Sequence, residues 1–135
     1  MNKQSDIFLY QQIAEDFDAK VVRVIDGDTV RLTCNFRDFE FPLRISNIMA
    51  AELNEPNGIQ SKSWLESQIL NQDVEIKINK KNRVGKWGRL LGKINYLGFD
   101  VGEESKAAGM SLNLEEEKDE LGETIKLFNT LKIWD

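Results

Sequence analysis

Two runs of strictly alternating residues constrain this chain more than any other feature. Val30, Leu32, Cys34 and Phe36 alternate with Arg31, Thr33 and Asn35, and Phe39, Phe41, Leu43 and Ile45 alternate with Glu40, Pro42, Arg44 and Ser46. A period of two puts every apolar side chain on one face of an extended strand. Both runs therefore read as half-buried strands, with Arg37-Asp38 as the turn between them. Residues 20–25 read as a preceding strand closed by the Asp26-Gly27 hairpin turn. Pro42 lacks a backbone N–H, so it belongs at a sheet edge or a bulge.

Residues 49–57 have no periodicity and contain Asn54, Pro56 and Asn57, which marks a loop. Asn57 with Gln60 resembles an N-cap pair, and a helix to about Asn71 follows. Val74, Ile76 and Ile78 alternate as a fourth strand. Residues 80–88 form a polar loop and 89–97 a fifth strand, followed by a turn at Gly98-Phe99-Asp100. Residues 101–112 suggest a short helix, and Leu114, Leu121, Ile125 and Phe128 a last one. At the other end, residues 5–17 suggest a short helix or a docking arm ahead of a domain over 18–135. Five strands with a helix between the third and fourth and two C-terminal helices describe a mainly β, α+β chain: a five-stranded OB-fold Greek-key barrel. An α+β sandwich of another topology is its structural rival.

The residue inventory narrows the chemistry. The 135 residues contain no His and one Cys, Cys34. Ser-His-Asp and Cys-His catalysis, His- or Cys-built zinc sites and an intramolecular disulfide are thereby excluded. Carboxylates, guanidinium and ammonium groups, hydroxyls and hard metals remain. No apolar run approaches the roughly 18 residues that suggest a membrane span. Asp6, Gln11, Gln12, Glu15 and Asp16 interrupt the N-terminus, so no secretory signal is expected there.

The formal net charge is −5, but it is segregated. Residues 103–123 hold eight acids and two lysines, a local −6, which leaves +1 for the rest. Lys80, Lys81, Arg83, Lys86 and Arg89 crowd one loop with no acid among them. Such a loop is ordinarily a solvated surface. Trp87 within it adds a flat face that can stack on a base, or cap the barrel.

Four further residues carry candidate chemistry. Asp28 opens the second strand, where a carboxylate at a barrel rim can begin the oxygen shell of a hard cation such as Ca²⁺. Arg44 alternates with inward Leu43 and Ile45, so it lies off the core face, either outward in solvent or facing a cleft with Asp28, Glu52 and Arg89. Glu52, just inside the following loop, can deprotonate a water. Arg89 closes the basic loop, and a pair of guanidinium groups matches the charge and shape of a phosphodiester oxyanion.

At four places the chain resembles the staphylococcal nuclease (thermonuclease) family: VIDGDTVRL at 24–32, LRISNIMAAE at 43–52, NRVGKWGRLLGKI at 82–94 and LKIWD at 131–135. The resemblance runs from about residue 18 to the C-terminus. It implies an OB-fold and Ca²⁺-dependent hydrolysis of DNA or RNA, with Asp28 as a metal ligand, Glu52 acting on the attacking water, and Arg44 and Arg89 stabilising the transition state. Lys80, Lys81, Arg83, Lys86 and Trp87 would contact the nucleic acid. The resemblance also implies departures. Met49 stands where the family has a second metal carboxylate, and a thioether is a poor Ca²⁺ ligand. Asp26 or Glu55 would have to substitute. Glu115 and Glu117 fall about where the family has tyrosines. Two functions follow: a metal-dependent nuclease weakened at its metal site, or an inert OB module. The second would bind nucleic acid, or a protein through residues 1–17 or 103–123. An intracellular or virion-associated setting is expected.

Overall fold

The computed structural model describes residues 13–85 and 89–114. In order, the strands are β1 (Phe17–Asp26), β2 (Thr29–Cys34), β3 (Arg37–Ile45) and the short β4 (Ile48–Met49). Then come helix α1 (Gly58–Ile69), β5 (Asp73–Lys77), β6 (Leu90–Tyr96), β7 (Phe99–Asp100), helix α2 (Val101–Ala107) and β8 (Leu112–Asn113).

Neighbours pair in the order β3-β2-β1-β5-β6-β7, and β3 also pairs with β6. That last contact closes a five-stranded ring of β1, β2, β3, β6 and β5. All pairs in the ring are antiparallel except β3–β6, which is parallel with Leu43 opposite Leu90 and Arg44 opposite Leu91. This is the OB-fold barrel, and closure leaves few free strand edges. Its interior is the alternation read from sequence: Val30, Leu32, Phe41, Leu43 and Ile45 are fully buried, together with Val21, Ile76, Leu90 and Ile94. Helix α1 closes one side with the stripe Gly58, Ser61, Leu65 and Ile69. Pro42 lies in the stretch of β3 that pairs with β2 alone, an edge position as expected. No helix among the described residues is long and apolar enough to cross a membrane.

Several local expectations are corrected. The β2–β3 turn is at Asn35-Phe36, because a bulge between Leu32 and Cys34 shifts the register and lets Cys34 pair with Arg37. Asn57 is the residue before α1, but its side chain makes no capping bond and its backbone is left-handed, φ 69°. The β6–β7 turn is Leu97-Gly98, both at positive φ, and Phe99 and Asp100 are already strand. Helix α2 ends at Ala107, earlier than expected. The Met110 N–H donates to the Ser105 carbonyl and the Gly109 N–H to that of Lys106. This is a Schellman ending with Gly109 at φ 76°. Residues 13–16 are irregular and Ile13 joins the core. The rest of the N-terminal arm and the last helix lie outside the described residues.

The turn between β1 and β2 is wedged tightly. A Cβ at Gly27 would stand 2.6 Å from Ala50 Cβ and 2.7 Å from Ser61 Cβ. The bare glycine therefore lets the turn touch both the 46–54 loop and α1. Gly27→Ala should destabilise the fold by about 1–3 kcal/mol through overpacking. A urea titration should show a lower midpoint at unchanged slope; an unchanged midpoint would contradict this packing.

Candidate functional site

The β1–β2 turn drives Asp28 into the protein, where it is only 8% exposed. Asp26 steadies the turn, its Oδ1 accepting the Asp28 N–H at 3.0 Å, an Asx-turn contact. The Asp28 carboxylate is heavily engaged. Its Oδ1 accepts from the Thr29 hydroxyl at 3.0 Å, and its Oδ2 from the Ala50 N–H at 2.9 Å. Arg44 Nη2 stands 3.3 Å from the same Oδ2. A charged hydrogen bond from buried backbone to carboxylate ties the 46–50 segment to the turn.

Arg44 does not point outward into solvent. It sits next to the end of β3, and its side chain is only 13% exposed. Nη1 donates to the Ile45 carbonyl and, at 2.8 Å, to the Ile48 carbonyl. The alternation put Arg44 off the core face correctly, but the chain turns after Ile45 and folds over it. Burial pushes the Arg44 pKa down, the Asp28 charge pulls it back up, and Arg89 lowers it again. The fields of Asp26 and Glu52 also reach it and raise it. Arg44 thus lies within electrostatic range of all four residues.

Arg89 precedes β6 at the base of the basic loop. Its carbonyl accepts from the Gly85 N–H at 2.7 Å, beside a bridge between Val84 and Leu90. Its Nε is buried and has no hydrogen-bond partner among the described residues. Glu52 is exposed in a tight turn. Its N–H donates to Glu55 Oε1 at 2.7 Å, and the Glu55 N–H donates to its carbonyl. Gly58 fits against that carbonyl, where any Cβ would clash. Asp26, half-buried, has its pKa raised to about 6, first by burial, then by hydrogen bonding to and the charge of Asp28, and lastly by Glu52.

These donors do not fit a resident Ca²⁺. Such an ion takes six to eight oxygens. Asp28 has committed both oxygens, Glu55 serves its own turn, and Met49 is half-buried in β4 opposite Leu112. Among the described residues no three Asp, Glu or Cys side chains gather where one ion could touch them all. The basic loop is partly used by the fold. Lys80 pairs with Glu15 at 3.3 Å, Lys81 is exposed, and the Arg83 carbonyl accepts from the Leu91 N–H. Lys86, Trp87, Glu115 and Glu117 lie outside the described residues. Thr29, Ala50 and Ile48 join the site only through a hydroxyl, an N–H and a carbonyl. Thr29 follows Asp28 directly and so had a sequence signal; the backbone groups had none.

No family model matches the chain. It is similar to an uncharacterized endonuclease of Escherichia coli O157:H7, 28% identical over 88 residues, which is 65% of this chain and 54% of that protein. It is also similar to a micrococcal nuclease of Shigella flexneri, 29% identical over 79 residues, 58% of this chain and 42% of that one. The chain spans about half the length of the curated relatives it matches.

The Asp26 shift has a consequence for stability. A carboxyl whose folded pKa lies above its usual 3.8 favours folding while protonated, and loses that contribution as pH rises through about 6. Asp26→Asn keeps an oxygen for the Asp28 N–H but cannot ionise. Its stability relative to wild type should therefore improve by about 1 kcal/mol between roughly pH 4 and pH 7, allowing for partial solvent screening. Urea titrations at the two pH values measure this; a pH-independent difference would contradict it.

Proposed function

We propose that this domain is nuclease-like. It takes a phosphodiester of DNA or RNA at the barrel end where the β1–β2 turn, the end of β3, the 46–54 loop and Arg89 meet. One observation carries the reading: the parallel β3–β6 pairing, with Leu43 opposite Leu90 and Arg44 opposite Leu91, brings Arg44 and Arg89 to neighbouring strand ends, with Asp28 3.3 Å from Arg44. Two guanidinium groups at the barrel end that also carries an exposed carboxylate, Glu52, suit hydrolysis of a phosphodiester. Arg44 and Arg89 bind the anionic oxygens and stabilise the charge that builds on them in the transition state. Glu52 takes a proton from the attacking water. The likeness to proteins named endonuclease and micrococcal nuclease supports this reading, as does the OB barrel, a fold that commonly binds oligonucleotides.

A second reading, an inert nucleic-acid-binding module, is favoured by Met49 and by the engagement of Asp28. A cleavage assay on labelled single-stranded DNA decides between them, run with Ca²⁺, with Mn²⁺ and with chelator. The nuclease reading expects cleavage under at least one condition. It also expects Glu52→Ala to slow cleavage by about 100-fold or more, with DNA affinity within about threefold of wild type. Retained binding with no cleavage under any condition would leave the inert module.

A further inference from the structure

A carboxylate that ligates a metal must present free lone pairs to it. Asp28 presents few. An ionised carboxylate has about four acceptor positions, and three are directed at the Thr29 hydroxyl, the Ala50 N–H and the Arg44 guanidinium. The groups facing Asp28 are thus these three donors, one of them already a full positive charge, and the Asp26 carboxyl, which hydrogen-bonds to Asp28. A divalent cation at Oδ2 would stand beside that guanidinium, and the two would repel.

The same contacts have an opposite effect on Arg44. Of its five N–H groups, two on Nη1 go to the Ile45 and Ile48 carbonyls and one on Nη2 faces Asp28. Nε–H and the second Nη2–H remain. A guanidinium with two N–H groups left over can grip two phosphate oxygens at once. Arg89 adds a buried Nε with no partner among the described residues. Two arginines brought to neighbouring strand ends, each with an N–H unused among the described residues, favour an anion between them.

We propose that Asp28 is a positioning residue for Arg44 and not a metal ligand, so that the Arg44–Arg89 pair takes a phosphodiester without a divalent cation. The proposal rests on the nuclease-like reading for its ligand but not for its metal requirement. Hydrolysis itself is a separate step and is not part of it.

The sign of one substitution separates the two roles. If Asp28 were a metal ligand, then in chelator it would only repel phosphate, and Asp28→Asn would leave DNA binding unchanged or tighten it. If Asp28 positions Arg44, the same change releases the guanidinium and weakens binding although a negative charge has been removed. The experiment is fluorescence anisotropy with a labelled single-stranded oligonucleotide at matched ionic strength, in chelator and in millimolar Ca²⁺. Alongside it, the melting temperature of the protein without DNA is measured with Ca²⁺ alone.

Wild type should bind within about threefold equally in the two buffers, and Ca²⁺ alone should move its melting temperature by less than about one degree. Arg89→Ala should weaken binding about tenfold and lower the salt slope by about one. Asp28→Asn should weaken binding in chelator about fivefold or more, and Arg44→Lys should do the same because an ammonium lacks the two-pronged edge. Binding that appears only with Ca²⁺, or a Ca²⁺-induced rise of several degrees, would overturn the proposal and leave the nuclease-like reading standing. So would tighter binding by Asp28→Asn in chelator. No binding by wild type in either buffer would overturn both. Should Asp28→Asn fail to fold, the wild-type buffer comparison and the melting shift still decide.

Discussion

The contact between Asp28 and Arg44 locks, through side chains, parts of the chain that β2–β3 pairing and the bond from the Ile45 N–H to the Asp28 carbonyl bring together. Asp28 comes from the turn after β1, Arg44 from the end of β3, and the Ala50 N–H that shares the same carboxylate from the loop beyond β4. The Ile48 carbonyl then takes the other side of the guanidinium. Both side chains are nearly out of water. An ion pair so placed adds little net stability compared with apolar packing, because desolvation offsets most of the attraction. Its value lies in geometry, since losing either partner leaves a buried charge uncompensated, which typically costs about 3–5 kcal/mol. The turn, the strand end and the loop are therefore fixed relative to one another, and Gly27 makes their close approach sterically feasible.

The proposed function depends on how charges are apportioned at this end of the barrel. Arg44 is balanced by Asp28. Arg89 supplies a second cation across the β3–β6 junction, and Glu52 stays exposed to water. The raised pKa of Asp26 comes first from burial and then from the Asp28 carboxylate beside it. The overall charge of −5 says nothing of this arrangement. Much of it comes from residues 103–123; within that stretch Glu103 is paired with Lys106 on α2.

The barrel was readable because its signal is local. Strict alternation in 30–36 and 39–45, a loop rich in Asn and Pro, a helix and two more strands give the OB order without any knowledge of contacts. Bulges defeated the finer reading: the extra residue between Leu32 and Cys34 moved the turn from Arg37-Asp38 to Asn35-Phe36 and leaves no mark on composition. Asn57 misled because it precedes the helix in a left-handed conformation and its side chain makes no capping bond. The candidate site divides similarly. Asp28, Arg44, Glu52 and Arg89 were nameable from their types and order along the chain. Alternation left the direction of Arg44 open between solvent and a cleft, and its backbone-carbonyl partners at Ile45 and Ile48 had no sequence signal. Nor did the engagement of Asp28, which turns on the N–H of Ala50, a residue with no polar side chain to betray it.

The central claim is that Asp28 and Arg44 act as one unit, and a double-mutant cycle measures that directly. Asp28→Asn, Arg44→Met and the double variant are unfolded in urea beside wild type. Coupled partners should give an interaction energy of about 1–3 kcal/mol, with the double variant less destabilised than the sum of the singles. Energies that add to within about 0.5 kcal/mol would contradict the account.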